Sequence, residues 1–201
     1  MLGGGLAPAS LTVVRPGGSA RLEDFRSWTM PLVRGALAGG RGALITLATG
    51  EDPWTLWEAI VRQTGGSAAD RVRLIDYASD TPRGPWHVPL HPELSRYITV
   101  PRMAHAERAV RGPMGGSVVE LWDFEPLEGV VGPHPVAGLV RTATRRLREN
   151  GNWAVLWAPH AGPMLTAARA AARLELVLAR DGGGLAVSGA RPAFPGVFVA
   201  P

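Results

Sequence analysis

The sequence predicts an α/β protein: a mostly parallel sheet with helices on both faces and an antiparallel hairpin at its C-terminal end. Three observations predict it. Short runs rich in Val, Ile and Leu alternate with longer amphipathic stretches, the order that strands joined by crossover helices produce. Several of these runs, such as Leu11-Thr12-Val13-Val14 and Ala43-Leu44-Ile45, are almost continuously apolar, as strands covered on both faces require. The last two runs are separated by Asp181-Gly182-Gly183-Gly184, a glycine-rich hairpin turn.

Taken in order, a first strand is expected over 10–14 and a helix over 22–38, which Gly39-Gly40 breaks. A short apolar strand over 43–48 leads into Thr49-Gly50-Glu51-Asp52-Pro53. Proline suits the first turn of a helix, here one over 54–63, because the missing N–H would have had no partner there. A third strand covers 71–77. Residues 79–102 hold Pro82, Pro85, Pro89, Pro92 and Pro101, and proline removes donors from ladders and helices, so an irregular excursion is expected. A helix over 103–111, a strand over 117–122, a helix over 136–150, a strand over 153–158 and a helix over 164–173 follow. The hairpin pairs 174–180 with 185–189, and 197–199 adds a last strand. With 201 residues, 46% of them hydrophobic, one domain over 1–201 can fill one sizeable core.

Composition narrows the chemistry. Cysteine is absent, which excludes disulfides and thiolate metal sites. No apolar run approaches the length of a membrane span, and Met1-Leu2-Gly3-Gly4-Gly5 lacks the charged start of a secretory signal. A cytoplasmic protein with no membrane partner is expected. All 21 basic residues are arginine, and the net charge is +4. The high isoelectric point, about 10.8, follows from the lack of lysine and cysteine and does not by itself mark a nucleic-acid binder.

The loop Arg15-Pro16-Gly17-Gly18-Ser19-Ala20-Arg21-Leu22 stands between the first strand and the first helix, where a phosphate-binding loop belongs. A working loop reads G-x-x-x-x-G-K-[ST]: glycines let backbone N–H groups wrap the phosphates, lysine reaches the outer phosphates, and the hydroxyl holds magnesium. Here Arg15 and Ala20 replace the glycines, Arg21 the lysine and Leu22 the hydroxyl. Gly17, Gly18 and Ser19 retain the composition of an anion nest, with Arg21 supplying charge at a helix N-terminus. Arginine is longer and planar, however, and does not place a point charge where the lysine ammonium goes.

With those residues in view, Met1 to Leu22 (MLGGGLAPASLTVVRPGGSARL) resembles the opening of the RecA, RadA/RadB and KaiC group of ATPases. Those proteins read L-G-G-G-x-x-x-G-x-[LV]-T-x-[VI] and then G-P-x-x-[SG]-G-K-[TS]. Ala43 to Ala59 (ALITLATGEDPWTLWEA) is similar to the group's second strand, acidic turn and following helix. Ser117 to Leu127 (SVVELWDFEPL) is similar to its Walker B strand, Trp153 to Pro159 to the next strand, and Leu174 to Phe198 to the closing hairpin. The resemblance implies a three-layer RecA-like core and a minimal paralogue without the N-terminal domain or filament-linking segment of many recombinases. It also implies site roles. Glu51 matches the glutamate that activates water, and Asp123 the aspartate that helps to hold magnesium, roles that need magnesium and ATP in place.

The four loop departures argue against productive magnesium–ATP binding. The expected function is therefore that of a non-catalytic accessory or regulatory protein, a pseudo-ATPase without a cofactor, acting on a protein partner such as a related active ATPase in DNA repair or signalling. Two other readings stand beside it: a weak ATPase using Glu51 and Asp123, and a nucleic-acid-binding module. The latter rests on Arg141, Arg145 and Arg148, which share one helical face with Arg146 adjacent and suit a phosphate backbone or an acidic partner. His87 and His91 are four apart, but the prolines around them oppose a helical metal site, so they are expected as isolated surface or loop residues. Trp54, Trp57 and Trp86 are expected in the core, or as a partner site where exposed.

Overall fold

Eight strands form a single sheet in the order β4-β3-β2-β5-β6-β1-β7-β8. The fold is a computed structural model that describes residues 9–16, 22–47, 52–66, 70–77, 79–90, 95–111, 116–181 and 184–192. In chain order the elements are β1 (Leu11–Pro16), α1 (Leu22–Ala38), β2 (Gly42–Leu47), α2 (Pro53–Thr64), β3 (Val72–Asp76), β4 (His87–Pro89) and α3 (Ser95–Arg111). They continue with β5 (Val118–Asp123), α4 (Glu125–Val131), α5 (Pro133–Asn150), β6 (Trp153–Trp157), α6 (Pro163–Ala171), β7 (Leu174–Asp181) and β8 (Gly184–Pro192). Strands β1 to β7 run parallel; β8 pairs antiparallel with β7.

The path of the chain dictates the layers. From β1 the chain moves across the sheet to β2 and on to β3 and β4; from β5 it moves the opposite way, through β6 to β7. Right-handed crossovers then send the two sets of helices to opposite faces. Met30, Val33, Leu37, Leu56, Trp57 and Ile60 of α1 and α2 accordingly pack on Val14, Ile45, Leu74, Leu121 and Trp157. Met103, Val110, Leu127, Val140, Leu147 and Met164 of α3 to α6 pack on Val13, Leu44, Ile75, Trp122 and Leu156. Adjacent strand residues such as Leu44 and Ile45 feed different layers, as the two-residue repeat of a strand demands. Among the described glycines Gly42 marks the tightest approach: a Cβ there would stand 2.5 Å from the Val110 carbonyl oxygen.

The expected irregular excursion over 79–102 is corrected. It contains β4 and the first turns of α3. Among the described residues β4 is the edge strand of the sheet, which is where a strand tolerates Pro89, and Leu90 N–H still donates to the Asp76 carbonyl at 2.7 Å. Pro101 lies inside α3, and burial of Met103, Ala106 and Val110 against the sheet offsets its missing hydrogen bond. The helix expected over 103–111 therefore begins at Ser95. Helix α4 is an addition, and α5 starts at Pro133, after Gly132 with φ 87°. The strand expected over 197–199 lies outside the described residues. Among the described residues no helix is long and apolar enough to cross a membrane.

Candidate functional site

The C-terminal ends of β1, β2 and β5 reach the same edge of the sheet. Leu47 pairs with Asp123, Asp123 with Trp157 and Trp157 with Val14, so one row of registered residues crosses the ends of β2, β5, β6 and β1. At the usual strand spacing, Asp123 and Val14 are about 10 Å apart. The direction of travel reverses between β2 and β5 and again between β6 and β1, and such switch points are where open α/β sheets leave ligand crevices. The ends of β1 and β2, from which two of the expected functional segments depart in sequence, stand there with Asp123.

Their chemistry is less promising than their placement. Asp123 is 1% exposed and shares its sheet face with Trp157, a large apolar neighbour in the register. Leu22, which stands where the resemblance expects a hydroxyl, is the first residue of α1. Gly17, Gly18, Ser19, Arg21 and Glu51 lie outside the described residues. The N-cap of α2 is Asp52, whose carboxylate accepts from Trp54 N–H and also pairs with Arg83 Nη1 at 2.8 Å. Trp122 and Phe124, which flank Asp123, are fully buried, as expected for a strand end entering the core.

The second region lies between α5 and α6. Arg141, Arg145 and Arg148 are exposed and line one groove of about 1040 Å³ together with His134, Ala137, Thr144 and Glu149 of α5. The opposite wall is α6, with Gly162, Pro163, Thr166, Ala167, Ala170 and Ala171. The sequence placed the three arginines on one face; it did not reveal the α6 wall. The signal for it was the run of small residues in Thr166-Ala167-Ala168-Arg169-Ala170-Ala171, legible only once α6 is known to lie against α5. Arg148 Nη2 donates to the Ala171 carbonyl at 2.9 Å and so closes the C-terminal turn of α6. Among the described residues, the side chains of Arg141 and Arg145 have no hydrogen-bond or ion-pair partner.

Arg146, next to Arg145 in the chain, takes no part in that groove. It is buried and clamps Glu107 of α3 and Glu120 of β5. Arg111 and Asn150 also donate to Glu107, while Trp122 Nε1 and Asn152 Nδ2 donate to Glu120 at 3.0 and 3.1 Å. Asn152 Oδ1 accepts from Val118 N–H and from Arg111. Two carboxylates and two guanidiniums thus balance in the layer between α3, α5 and the sheet. Burial pushes the Glu120 carboxyl above the usual range, and the Arg146 charge opposes that rise.

His87 is a correction: expected as an isolated surface or loop residue, it is 3% exposed. Its Nδ1 accepts the Arg83 N–H at 3.0 Å and its Nε2 meets the Asp76 carboxylate, so Nε2 carries the hydrogen. The reason is strand pairing, which seats β4 beside β3 and brings residues 76 and 87 together. His91 lies outside the described residues. Trp57 and Trp86 are buried and stack at 4.7 Å, whereas Trp54 stays 44% exposed and donates to Glu58.

Layers and sheet define the class: a three-layer α/β protein built on a parallel sheet. A scan against protein-family models finds none that matches the chain, and a search of curated proteins finds no significant relative.

Proposed function

We propose that the chain is a non-catalytic accessory or regulatory protein on a RecA/KaiC-like core, a pseudo-ATPase that acts by binding a protein partner. The observation that carries this reading is the mismatch at one edge of the sheet. The ends of β1, β2 and β5 lie at one end of the sheet, and the segment after β1 reads Arg15, Ala20, Arg21 and Leu22 where the resembled ATPases have glycines, lysine and hydroxyl. A partner such as a related active ATPase, in DNA repair or signalling, belongs to this proposal through the sequence resemblance.

Calorimetric and thermal-shift titrations with ATP, ADP and pyrophosphate, each with and without magnesium, test it. The expected result is no saturable heat and no change in melting temperature. Magnesium-dependent binding, with phosphate release that Glu51→Gln abolishes, would replace the proposal with a weak ATPase.

A further inference from the structure

The groove between α5 and α6 has features that the loss of nucleotide binding does not explain. We infer that it is the docking surface for an acidic amphipathic helix of a partner protein. This rests on the reading that the protein acts through a partner, and supplies the surface and the chemistry of what it binds.

Three properties point to that occupant. The first is charge. Arg141, Arg145 and Arg148 line the groove against one carboxylate, Glu149, and Arg141 and Arg145 have no partner among the described residues. Guanidiniums left free in this way bind anions, carboxylates and phosphates alike, bidentately; the other two properties choose between them. The second is the opposite wall. Thr166 and Ala170 of α6 are exposed and Ala171 is half-buried, so small side chains let another backbone come close and offer apolar surface to its Leu- or Ala-type side chains. The third is backbone chemistry. The walls are two helices whose interior N–H and C=O groups already bond within each helix. An extended peptide lying there would find no ladder partner, whereas a helix satisfies its own backbone. The lining runs from residue 134 to 149 along α5, about 22 Å at 1.5 Å per residue, room for roughly four helical turns.

A nucleic-acid backbone fits less well. It would meet the arginines on one wall only, face Glu149, and leave the alanine wall without apolar contacts, whereas backbone recognition rests on phosphate neutralisation.

The probe is a fluorescein-labelled 16-residue helical peptide with Glu on one face and Leu on the other, with an all-Gln counterpart and a 16-base-pair DNA duplex for comparison. Anisotropy titrations of the full chain are expected to give saturable binding of the Glu peptide and at least tenfold weaker binding of the Gln peptide and the duplex. Arg141→Gln/Arg145→Gln is expected to weaken the Glu peptide tenfold or more. Ala170→Glu, which places a like charge on the other wall, is expected to do the same, while Arg62→Gln on α2 leaves binding unchanged. Circular dichroism confirms that each variant remains folded, as exposed positions predict. Tighter binding of the duplex, equal binding of Glu and Gln peptides, no binding of any probe, or indifference to both groove variants would overturn the inference. A silent peptide beside silent nucleotide titrations removes the groove and leaves the pseudo-ATPase reading standing. A bound peptide beside bound magnesium–ATP does the reverse.

Discussion

Arg145 and Arg146 are neighbours in sequence and opposites in circumstance. One step along α5 rotates the side chain by about 100°, and that turn separates an open groove from the protein interior. Arg145 stands exposed over the α5–α6 groove; Arg146 is 7% exposed and held between Glu107 and Glu120. A buried guanidinium is tolerated because two carboxylates and their amide partners replace its water. An exposed one keeps its water and has little effect on stability. Identical residue types on one helix are therefore divided between holding the fold together and facing outward.

The sharpest way to break the comparison is to remove Arg146. Arg146→Ala leaves buried Glu120 without its cation and Glu107 with Arg111 alone, and is expected to lower the unfolding free energy by about 3–5 kcal/mol, read from urea denaturation. The sign of its pH dependence follows from Glu120. Burial already raises that carboxyl, and a raised carboxyl contributes stability at low pH that is lost as pH rises through its folded value. Losing Arg146 raises it further, so the variant should come closest to the wild type in acid and fall furthest behind near neutrality. A deficit that is constant with pH would contradict the assignment. Next in size is Asn152→Ala, which removes the acceptor for Val118 N–H and a donor to Glu120. Leaving such buried groups unpaired costs about 1–3 kcal/mol, again measured as a shift in urea midpoint.

The groove arginines should do much less to stability. Arg148→Ala loses one bond to the Ala171 carbonyl, worth about 0.5–1.5 kcal/mol. Arg145→Ala is expected to stay within about 0.5 kcal/mol of wild type. Equal destabilisation by the two would show that Arg148 does not hold the end of α6.

An intermediate case refines the contrast through pH alone. The Arg169 guanidinium, hydrogen-bonded to Glu175 at 2.6 Å, holds that carboxyl below its ordinary value, against partial burial and with help from Arg15. A lowered carboxyl contributes stability above its ordinary pKa, near 4.5, and loses it as pH falls through the folded value. Arg169→Ala should therefore flatten the acid side of the stability profile below pH 4.5 while leaving the neutral-pH response to Arg146→Ala untouched.

The alternation of strands and helices was legible because burial on two faces forces near-continuous apolar runs, as in Leu11 to Val14, Ala43 to Ile45 and Trp153 to Trp157. The shared face of Arg141, Arg145 and Arg148 was legible from helical spacing. Edge strand β4 was not, since three residues ending in proline carry no period that distinguishes a strand from a loop. Nor was the start of α3, because Pro101 is the residue that local rules read as a helix breaker. His87 joins Asp76 only when β4 aligns with β3, a pairing that no spacing within either strand encodes.

Sequence by itself determined the alternation of the main strands and helices, the residues that follow β1, and which arginines share a helical face. These depend on residue type and on periods of two or 3.6, which are local. Tertiary structure alone decided that Arg146 turns inward to two carboxylates, that α6 supplies a small-residue wall opposite the arginines, and that Asp123 lies beside Trp157 at the edge of the sheet. Each depends on which strands and helices become neighbours, and that is set by packing of the whole core around residues far apart in the chain.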